Sequence, residues 1–494
     1  MEFELKLEIP LNRVQQVEAA MREGKTTRQR LRARYFDTVE GALAIHGLIV
    51  RVRKEGRRWV QTAKGSTSDL LERLEHNVNL TPPAGRAMPV ADLTRHTGTP
   101  VGDRILQALK LKSDALLPPL IALYDTDVQR LTRRVEVEGS VVEIALDLGR
   151  IVSGSHSIAL CELEVELKLG QAGHAVQVAR DWCARHGLWL STISKSGKGQ
   201  RLGHASPLGP VVYATASEFD HRASAVQISE AVLQSCLVHV LGNASEVAGG
   251  SKDADHIHQL RVGIRRLRTA LGELPALVEG IDTAWEGPLV EAFRALGRHR
   301  DYSHMVTSLL PQIAAAGGPA LQVQHDNKDI PDPGVAIRMP AFQDALLGVI
   351  GFLHSVVTAN GSPNHKVAKK ILEARLKKLR TQVVKDGKKF LALDEIRQHK
   401  VRKRLKRLRY LTEFSAPLFA ARQTRAFVTS MKPVQNALGH YNDELMALEA
   451  FRTLVSSDKQ AWFGIGWLSA RRNPNANICL EALEAFATVK PYWD

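Results

Sequence analysis

Charged and apolar positions alternate at both ends of the first two hundred residues. Glu2, Glu4 and Lys6 interleave with Phe3, Leu5 and Leu7, and Glu162, Glu164, Glu166 and Lys168 interleave with Leu163, Val165 and Leu167. Alternate side chains of a β-strand share a face, so each segment predicts a strand with a charged row backed by an apolar one. Further segments of the same kind lie between them: Arg51 and Arg53 in LIVRVRK, Lys64 in RWVQTAK, Arg73 and Glu75 in LLERLEHNV, Arg130 and Arg134 in DVQRLTRRVEV, Glu143 and Asp147 in VVEIALDLG. The period then changes. QAGHAVQVARDWCARHG carries apolar residues at helical spacing and stops at Gly187, and helical patterns fill the chain beyond residue 220. The Gly, Pro, Ser and Ala of residues 200–220 read as a linker, and a second break at 314–334 reads as a loop between helical groups.

The simplest account of a charged row is the wet face of an ordinary antiparallel sheet. Here the rows carry many Arg and Lys beside a few clustered acids, and such a face repels itself if it closes inward without a ligand. A polyanion with a metal neutralises both signs. Hard divalent ions are held by carboxylate oxygens and by substrate phosphates, so the rows predict a metal–phosphate site built on sheet.

These motifs give the chain a resemblance to the CYTH superfamily, the triphosphate tunnel metalloenzymes. EFELK fits its ExExK signature, and YFDT at 35–38, RVR at 51–53, WVQTAK at 59–64, RLE at 73–75, EIALDLG at 143–149, ELEVELK at 162–168 and SKSG at 194–197 follow in the family's order. The resemblance implies an α+β arrangement in which an eight-stranded antiparallel β tunnel with flanking helices binds a triphosphate and Mg²⁺ or Mn²⁺. It implies metal ligation by Glu2, Glu4, Glu162 and Glu164, assisted by Asp147 and Glu166. Phosphate contacts are implied for Lys6, Arg51, Arg53, Lys64, Arg73, Arg130 and Lys195, and a catalytic part for Glu2, Glu4 and Lys6. Asn77 departs from the pattern, standing where many relatives carry an acid.

The second half contains an internal repeat. HQLRVGIRRLRTALGEL from His258 aligns without a gap on HKVRKRLKRLRYLTEF from His399, and ALGRHRD from Ala295 returns as ALGHYND from Ala437. The offsets, 141 and 142 residues, are nearly equal, which predicts a duplicated helical unit. Steps of three and four residues set His258, Arg261, Arg265 and Arg268 along one stripe, and His399, Arg402, Lys406 and Arg409 along another. With no compensating acids expected at i+4, each stripe predicts an anion-binding face.

This half resembles the CHAD family, the conserved histidine α-helical domain. The resemblance implies an all-α domain of two pseudo-symmetric helical bundles that binds inorganic polyphosphate and takes proteins to polyphosphate granules. It implies polyphosphate contacts from His258, Arg261, Arg265, Arg266, Arg268, His399, Arg402, Lys403, Lys406 and Arg409. Asn442 replaces the Arg of the RD element in the second copy.

Composition sets the outer limits. At 494 residues and 44% apolar content the chain predicts two to three domains: a tunnel at 1–203, a linker at 204–218 and a helical domain at 219–494. A net charge of +15 favours anionic partners, and by itself leaves nucleic acid open beside polyphosphate. No apolar run is expected to span a bilayer, and Glu2 and Glu4 stand where a signal peptide is basic and then apolar, so a cytoplasmic protein is expected. Four scattered cysteines without ligand spacing read as free thiols. The resulting expectation is a metal-dependent triphosphatase acting on inorganic tripolyphosphate and coupled to a binder of long-chain polyphosphate. The alternatives are a non-catalytic granule scaffold, or a tunnel enzyme for an organic triphosphate such as a thiamine triphosphatase or adenylate cyclase.

Overall fold

The computed structural model describes residues 2–66, 72–81, 88–112, 115–204, 206–321, 332–356 and 363–493. Much of the loop expected at 314–334 falls on 322–331, outside the described residues. The chain divides into two compact units, one of residues 1–212, 241–251 and 337–355, the other of residues 213–240, 252–336 and 356–494.

The alternating segments of the first unit form β1 (Glu2–Glu8), β2 (Thr26–Asp37), β3 (Leu48–Glu55), β4 (Arg58–Ser66), β5 (Glu72–Leu80), β6 (Ile121–Val137), β7 (Ser140–Ser153) and β8 (His156–Leu169), with a two-residue β9 (Trp189–Leu190). The order is β5-β4-β3-β2-β6-β7-β8-β1-β9, and a further β5–β1 pairing closes the ring. The sheet has nine strands where eight were expected. The extra strand is β9, which pairs with the end of β1 through Leu7 and Glu8 after the chain returns from a helix. All pairings are antiparallel.

Closure decides which face is wet. The apolar rows, with Leu5, Leu7, Val142, Leu146, Leu163 and Val165 fully buried, point outward. The helices within residues 1–212 are α1 (Val14–Met21), α2 (Ala42–Ile45), α3 (Pro100–Leu109), α4 (Ala172–His186) and α5 (Lys195–Gly203). Helix α4 packs on β1, β7 and β8, and α2 and α3 cover Val50, Val52, Trp59 and Ala63 with Leu43, Val101 and Ile105. The charged rows therefore face inward, which rules out an ordinary solvated sheet face. Helix α5 lies against the sheet because position 199 is glycine: a Cβ there would sit 2.3 Å from the Tyr124 ring.

The remaining helices are α6 (Ala225–Ala248), α7 (Ala254–Glu273), α8 (Glu286–His304), α9 (Leu310–Ala315), α10 (Pro333–Arg338), α11 (Pro340–Val356), α12 (His365–Gly387), α13 (Glu395–Ser415), α14 (Ala421–Leu454) and α15 (Ala461–Ala487). The repeat phrases fall on α7 and α8, then on α13 and α14. Both repeat helices start on an aspartate cap: Asp253 accepts from the backbone of Asp255 and His256, and Asp394 from that of Arg397. Leu260, Ile264 and Leu267 of α7 and Leu405, Leu408 and Leu411 of α13 form buried stripes. Contrary to expectation, α6 has the length and apolarity of a membrane span, although 61% of its apolar window is buried within the protein. Its Ser, Glu, His and Asn residues broke up the pattern in sequence.

Candidate functional site

Register explains how the acids converge. Asp147 of β7 stands opposite Glu162 of β8, and β8 sets Glu162, Glu164 and Glu166 opposite Glu8, Lys6 and Glu4 of β1. Asp147, Glu162 and Glu164 each present a carboxylate oxygen within 4.8 Å of the others. Arg130, beside Asp147 in the ladder, binds it through two bonds of 2.7 and 2.6 Å and also reaches Glu164.

Two lysines enter from α5. Ser194 caps this helix by accepting from the Gly197 amide, which sets Lys195 at its first position and Lys198 one turn on. The Lys195 ammonium pairs with all three carboxylates, lying 2.8 Å from Asp147, while Lys198 lies 2.6 Å from Glu8 and 2.9 Å from Glu162. Burial works against charge on Glu162, but Lys195, Lys6 and Lys198 outweigh it and hold the carboxyl at about 2. Burial likewise opposes charge on Glu164, yet Lys195 and Arg130 hold it well below the carboxylate range. Lys6 donates to the Ile193 carbonyl, and burial lowers its ammonium to about 8 against the pull of Glu162.

The other expected residues spread round the lumen. Arg51 is partly buried, with Nη1 3.4 Å from the Tyr35 hydroxyl, and Arg53 pairs with Glu55. Lys64 lies 2.5 Å from Glu75, and Asn77 sits beside this pair, donating to Glu75 at 2.8 Å and accepting from Thr62 at 2.7 Å. Glu166 is drawn to Lys168 at 2.5 Å and stands apart from the acid trio. Glu4 contributes to the field that keeps Arg130 charged. The side chains of Glu2 and Arg73 lie outside the described residues, although their backbones pair in β1 and β5. Sequence reasoning missed Glu8 and Lys198. Glu8 is the next alternate position after Lys6, and Lys198 lies one helical turn beyond Lys195, so both signals were present.

The acid trio has the donors of a hard-cation site, and the ammonium of Lys195 already stands among them as a positive charge. A divalent ion therefore fits the chemistry of these residues.

A second cluster lies in the helical unit. Arg300 of α8 bonds Asp443 of α14 at 3.0 and 3.3 Å, and His399 Nδ1 lies 2.7 Å from Asn442 Oδ1. Arg261 donates to the Phe293 carbonyl at 3.2 Å and lies over the Phe293 ring. Its guanidinium passes Gly297, where a Cβ would sit 2.5 Å away. Burial lowers Lys406 to about 6, and Arg265 of the other repeat and neighbouring Arg402 add to the effect. Arg402 also responds to Asp443, Arg265 and Arg300, so the two stripes converge on one region of concentrated positive charge. Lys403 is exposed.

Two expectations for this cluster need correction, the exposure of Arg266 and the absence of an acid at i+4. Arg266, expected at the phosphate surface, is 2% exposed, donates to the Thr215 carbonyl and Ser235 hydroxyl, and lies over the Phe414 ring. Arg409 does have an acid at i+4, Glu413 at 2.7 Å, and it also donates to Gln435. Arg268 is paired with Glu286 at 2.9 Å, supplied by the next helix. The outer ends of both stripes are thus paired within the protein, while Arg265 and Arg402 crowd Lys406, whose ammonium burial and that crowding disfavour, and Arg261 feels the charge of Arg265.

Comparison with known proteins follows the same division. Over 172 residues the chain is 26% identical to the inorganic triphosphatase of Haemophilus influenzae, a match covering 34% of this chain and 45% of that protein, so less than half the relative's length is spanned. The crystal structure of the CHAD domain from the plant Ricinus communis aligns with 57% of this chain and 98% of its own, at 25% identity and a TM-score of 0.47. The Hippeastrum protein HpAC1, described as revealing a dominant triphosphatase activity, aligns with 42% of this chain and 98% of its own, at 17% identity and a TM-score of 0.30. Residues 1–199 match the CYTH domain family and residues 231–452 the CHAD domain family, so the chain is a CYTH domain joined to a CHAD domain.

Proposed function

We propose that the CYTH domain, residues 1–203, is a metal-dependent inorganic triphosphatase that hydrolyses tripolyphosphate to pyrophosphate and phosphate. A linker at 204–218 joins it to a helical domain at 219–494 that binds long-chain inorganic polyphosphate. The observation carrying this reading is a closed lumen in which the Asp147, Glu162 and Glu164 trio stands among Lys6, Arg51, Arg53, Lys64, Arg130 and Lys195. The activity named for the Haemophilus relative supports it.

Asp147, Glu162 and Glu164, with Glu2 and Glu4 from β1, would hold Mg²⁺ or Mn²⁺. Such an ion supplies Lewis-acid polarisation of a phosphoryl oxygen and lowers the pKa of a bound water. The protein's own part is positioning and charge. Arg51, Arg53, Lys64 and Arg130 project from three strands, so they can grip a linear polyanion at several oxygens at once and neutralise the charge that develops on the leaving pyrophosphate. Closure of the sheet keeps bulk water from competing for these contacts. In the helical domain the converging basic stripes would take the polyphosphate chain. The cytoplasm, at polyphosphate granules, is the proposed location.

Phosphate release from tripolyphosphate, ATP and thiamine triphosphate, each with Mg²⁺ and with Mn²⁺, tests the reading. Tripolyphosphate is expected to be preferred, with no turnover in excess chelator. Preference for an organic triphosphate would replace the substrate, and inactivity on all three would leave a binding protein.

A further inference from the structure

Lys195 is placed where a metal ion would be. It pairs with Asp147, Glu162 and Glu164 together, whereas Arg130 touches two of them and Lys198 one. A metal seated among these oxygens would occupy the place of the amine, so the amine must leave first.

Lys195 is also better placed to swing away than Arg130. Arg130 is set on the sheet ladder beside Asp147 and held to it by two bonds. Lys195 projects from the first residue of α5, off the sheet, on a four-carbon stem. Phosphate oxygens entering the lumen offer it an alternative anionic partner.

Resting on the reading of the lumen as a metal–triphosphate site, we propose that Lys195 is a built-in stand-in for the divalent ion. It keeps the trio neutralised and closed to metal until a triphosphate draws the ammonium onto its own oxygens. Metal and substrate then bind cooperatively, each raising the protein's affinity for the other by the same factor. The arrangement adds a positive charge to three carboxylates that Arg130 and Lys198 only partly compensate.

The test uses the full chain without substrate, with free Mn²⁺ measured by electron paramagnetic resonance at fixed pH and ionic strength. Wild type is expected to bind weakly, and Lys195→Met to bind about tenfold tighter or more, within the usual range of coupling between sites. Lys195→Arg keeps the charge and should bind as weakly as wild type. Lys198→Met removes an equal charge from beside Glu162 and should tighten binding less. If Lys195→Met melts without cooperativity in the absence of metal, the same displacement predicts recovery of a cooperative melt by Mn²⁺, and failure to recover counts against it. Equal Mn²⁺ affinity in wild type and Lys195→Met, or equal tightening by Lys198→Met, overturns the stand-in role. Absence of Mn²⁺ binding in every protein, including wild type given tripolyphosphate, overturns the underlying metal-site reading instead.

Discussion

Arg300 of the first helical repeat is bonded to Asp443 of the second, with its two terminal nitrogens 3.0 and 3.3 Å from the two carboxylate oxygens. Burial pushes the Asp443 carboxyl up, but the bond from Arg300 and the charges of Arg300 and Arg402 outweigh it and leave it below its usual value. Asp443 and Asp301 are the acids set against Arg261, Arg265, Arg300, Arg402 and Lys406. Asp443→Asn therefore leaves Asp301 alone against these half-buried groups, and is expected to destabilise the helical unit by roughly 3 kcal/mol. Added polyphosphate should restore part of that loss in denaturant melts. Because the folded carboxyl titrates lower than the unfolded one, this stabilisation is present above the unfolded pKa and is lost as pH falls through the folded value.

In the tunnel the sharpest substitutions remove one charge and little volume. Glu4→Gln and Glu164→Gln are each expected to abolish tripolyphosphate hydrolysis while preserving the far-ultraviolet circular dichroism. Glu164→Gln should also lower the melting temperature, because the Glu164 carboxylate pairs with both Arg130 and Lys195. Near-normal turnover in both variants, with unchanged metal dependence, would exclude these carboxylates from the site.

The sequence made the lumen legible because a strand's period is two: once closure is granted, the even residues of β1 and β8 must share its interior. Closure itself was not readable from those residues, and entered through the resemblance to tunnel proteins. Arg266 shows a different limit. It follows Arg265 directly, yet a helix turns about 100° per residue, which carries it well round from the stripe. Its position in the helical period separates it from the surface set, whereas the run of basic letters groups it there. Long-range packing was illegible for another reason. Nothing local in residues 241–251 or 337–355 signals that they belong with the first compact unit.

That packing predicts the behaviour of a fragment. Residues 1–205 alone lose the bonds that Arg180 donates to Asp344 at 2.6 and 2.9 Å, the Leu190 amide to Gln343 at 2.8 Å, and the Thr192 amide to Ser245 at 2.9 Å. They also lose Glu246, which is 6% exposed and paired with Arg201. The fragment is expected to melt well below the full chain yet to retain triphosphatase activity in whatever fraction is folded, since the lumen residues all lie within it. Calorimetry and phosphate release check the two halves of this statement. A melting temperature equal to that of the full chain would show that those contacts carry no stability.

Acid should weaken the tunnel unit before its carboxylates titrate. His96 is fully buried, its Nδ1 3.0 Å from that of His76 and its Nε2 2.8 Å from Gln61 Nε2. Burial, aided by His76 and Arg95, lowers its pKa to about 4. The unfolded chain then binds a proton that the folded chain refuses, so stability is complete above about 6.5 and declines as pH falls toward 4. The loss attributable to this group reaches up to about 3 kcal/mol at the acid end. His239 in the other unit is lowered to about 4 mainly by burial and adds its own decline. In denaturant melts between pH 7 and 4, His96→Gln should show a shallower fall than wild type. An identical slope would mean that His96 is protonated in the fold.

The helical unit offers a binding test at residues where sequence and structure disagree. If polyphosphate lies along the converging stripes, charge reversal of Arg261 and Arg265, or of Arg402 and Lys406, should weaken binding, and reversing all four should weaken it further. Arg268 and Arg409 already have carboxylate partners in Glu286 and Glu413, so their reversal should matter less. Arg266→Met should lower the melting temperature with little effect on the affinity of the folded fraction, because its guanidinium is buried over Phe414. Binding should weaken steeply as salt rises, since cations that neutralise a polyanion release its counterions. Salt dependence alone does not separate polyphosphate from nucleic acid. Competition does: duplex DNA carries one charge per about 1.7 Å of its axis on a stiff rod, whereas polyphosphate is a flexible, densely charged strand able to enter between helices. At equal charge concentration and fixed ionic strength, polyphosphate is expected to displace DNA and to resist displacement by it. Displacement in the opposite direction, or an affinity unmoved by the four reversals, would make the basic cluster a general nucleic-acid surface or place the polyphosphate elsewhere on the protein.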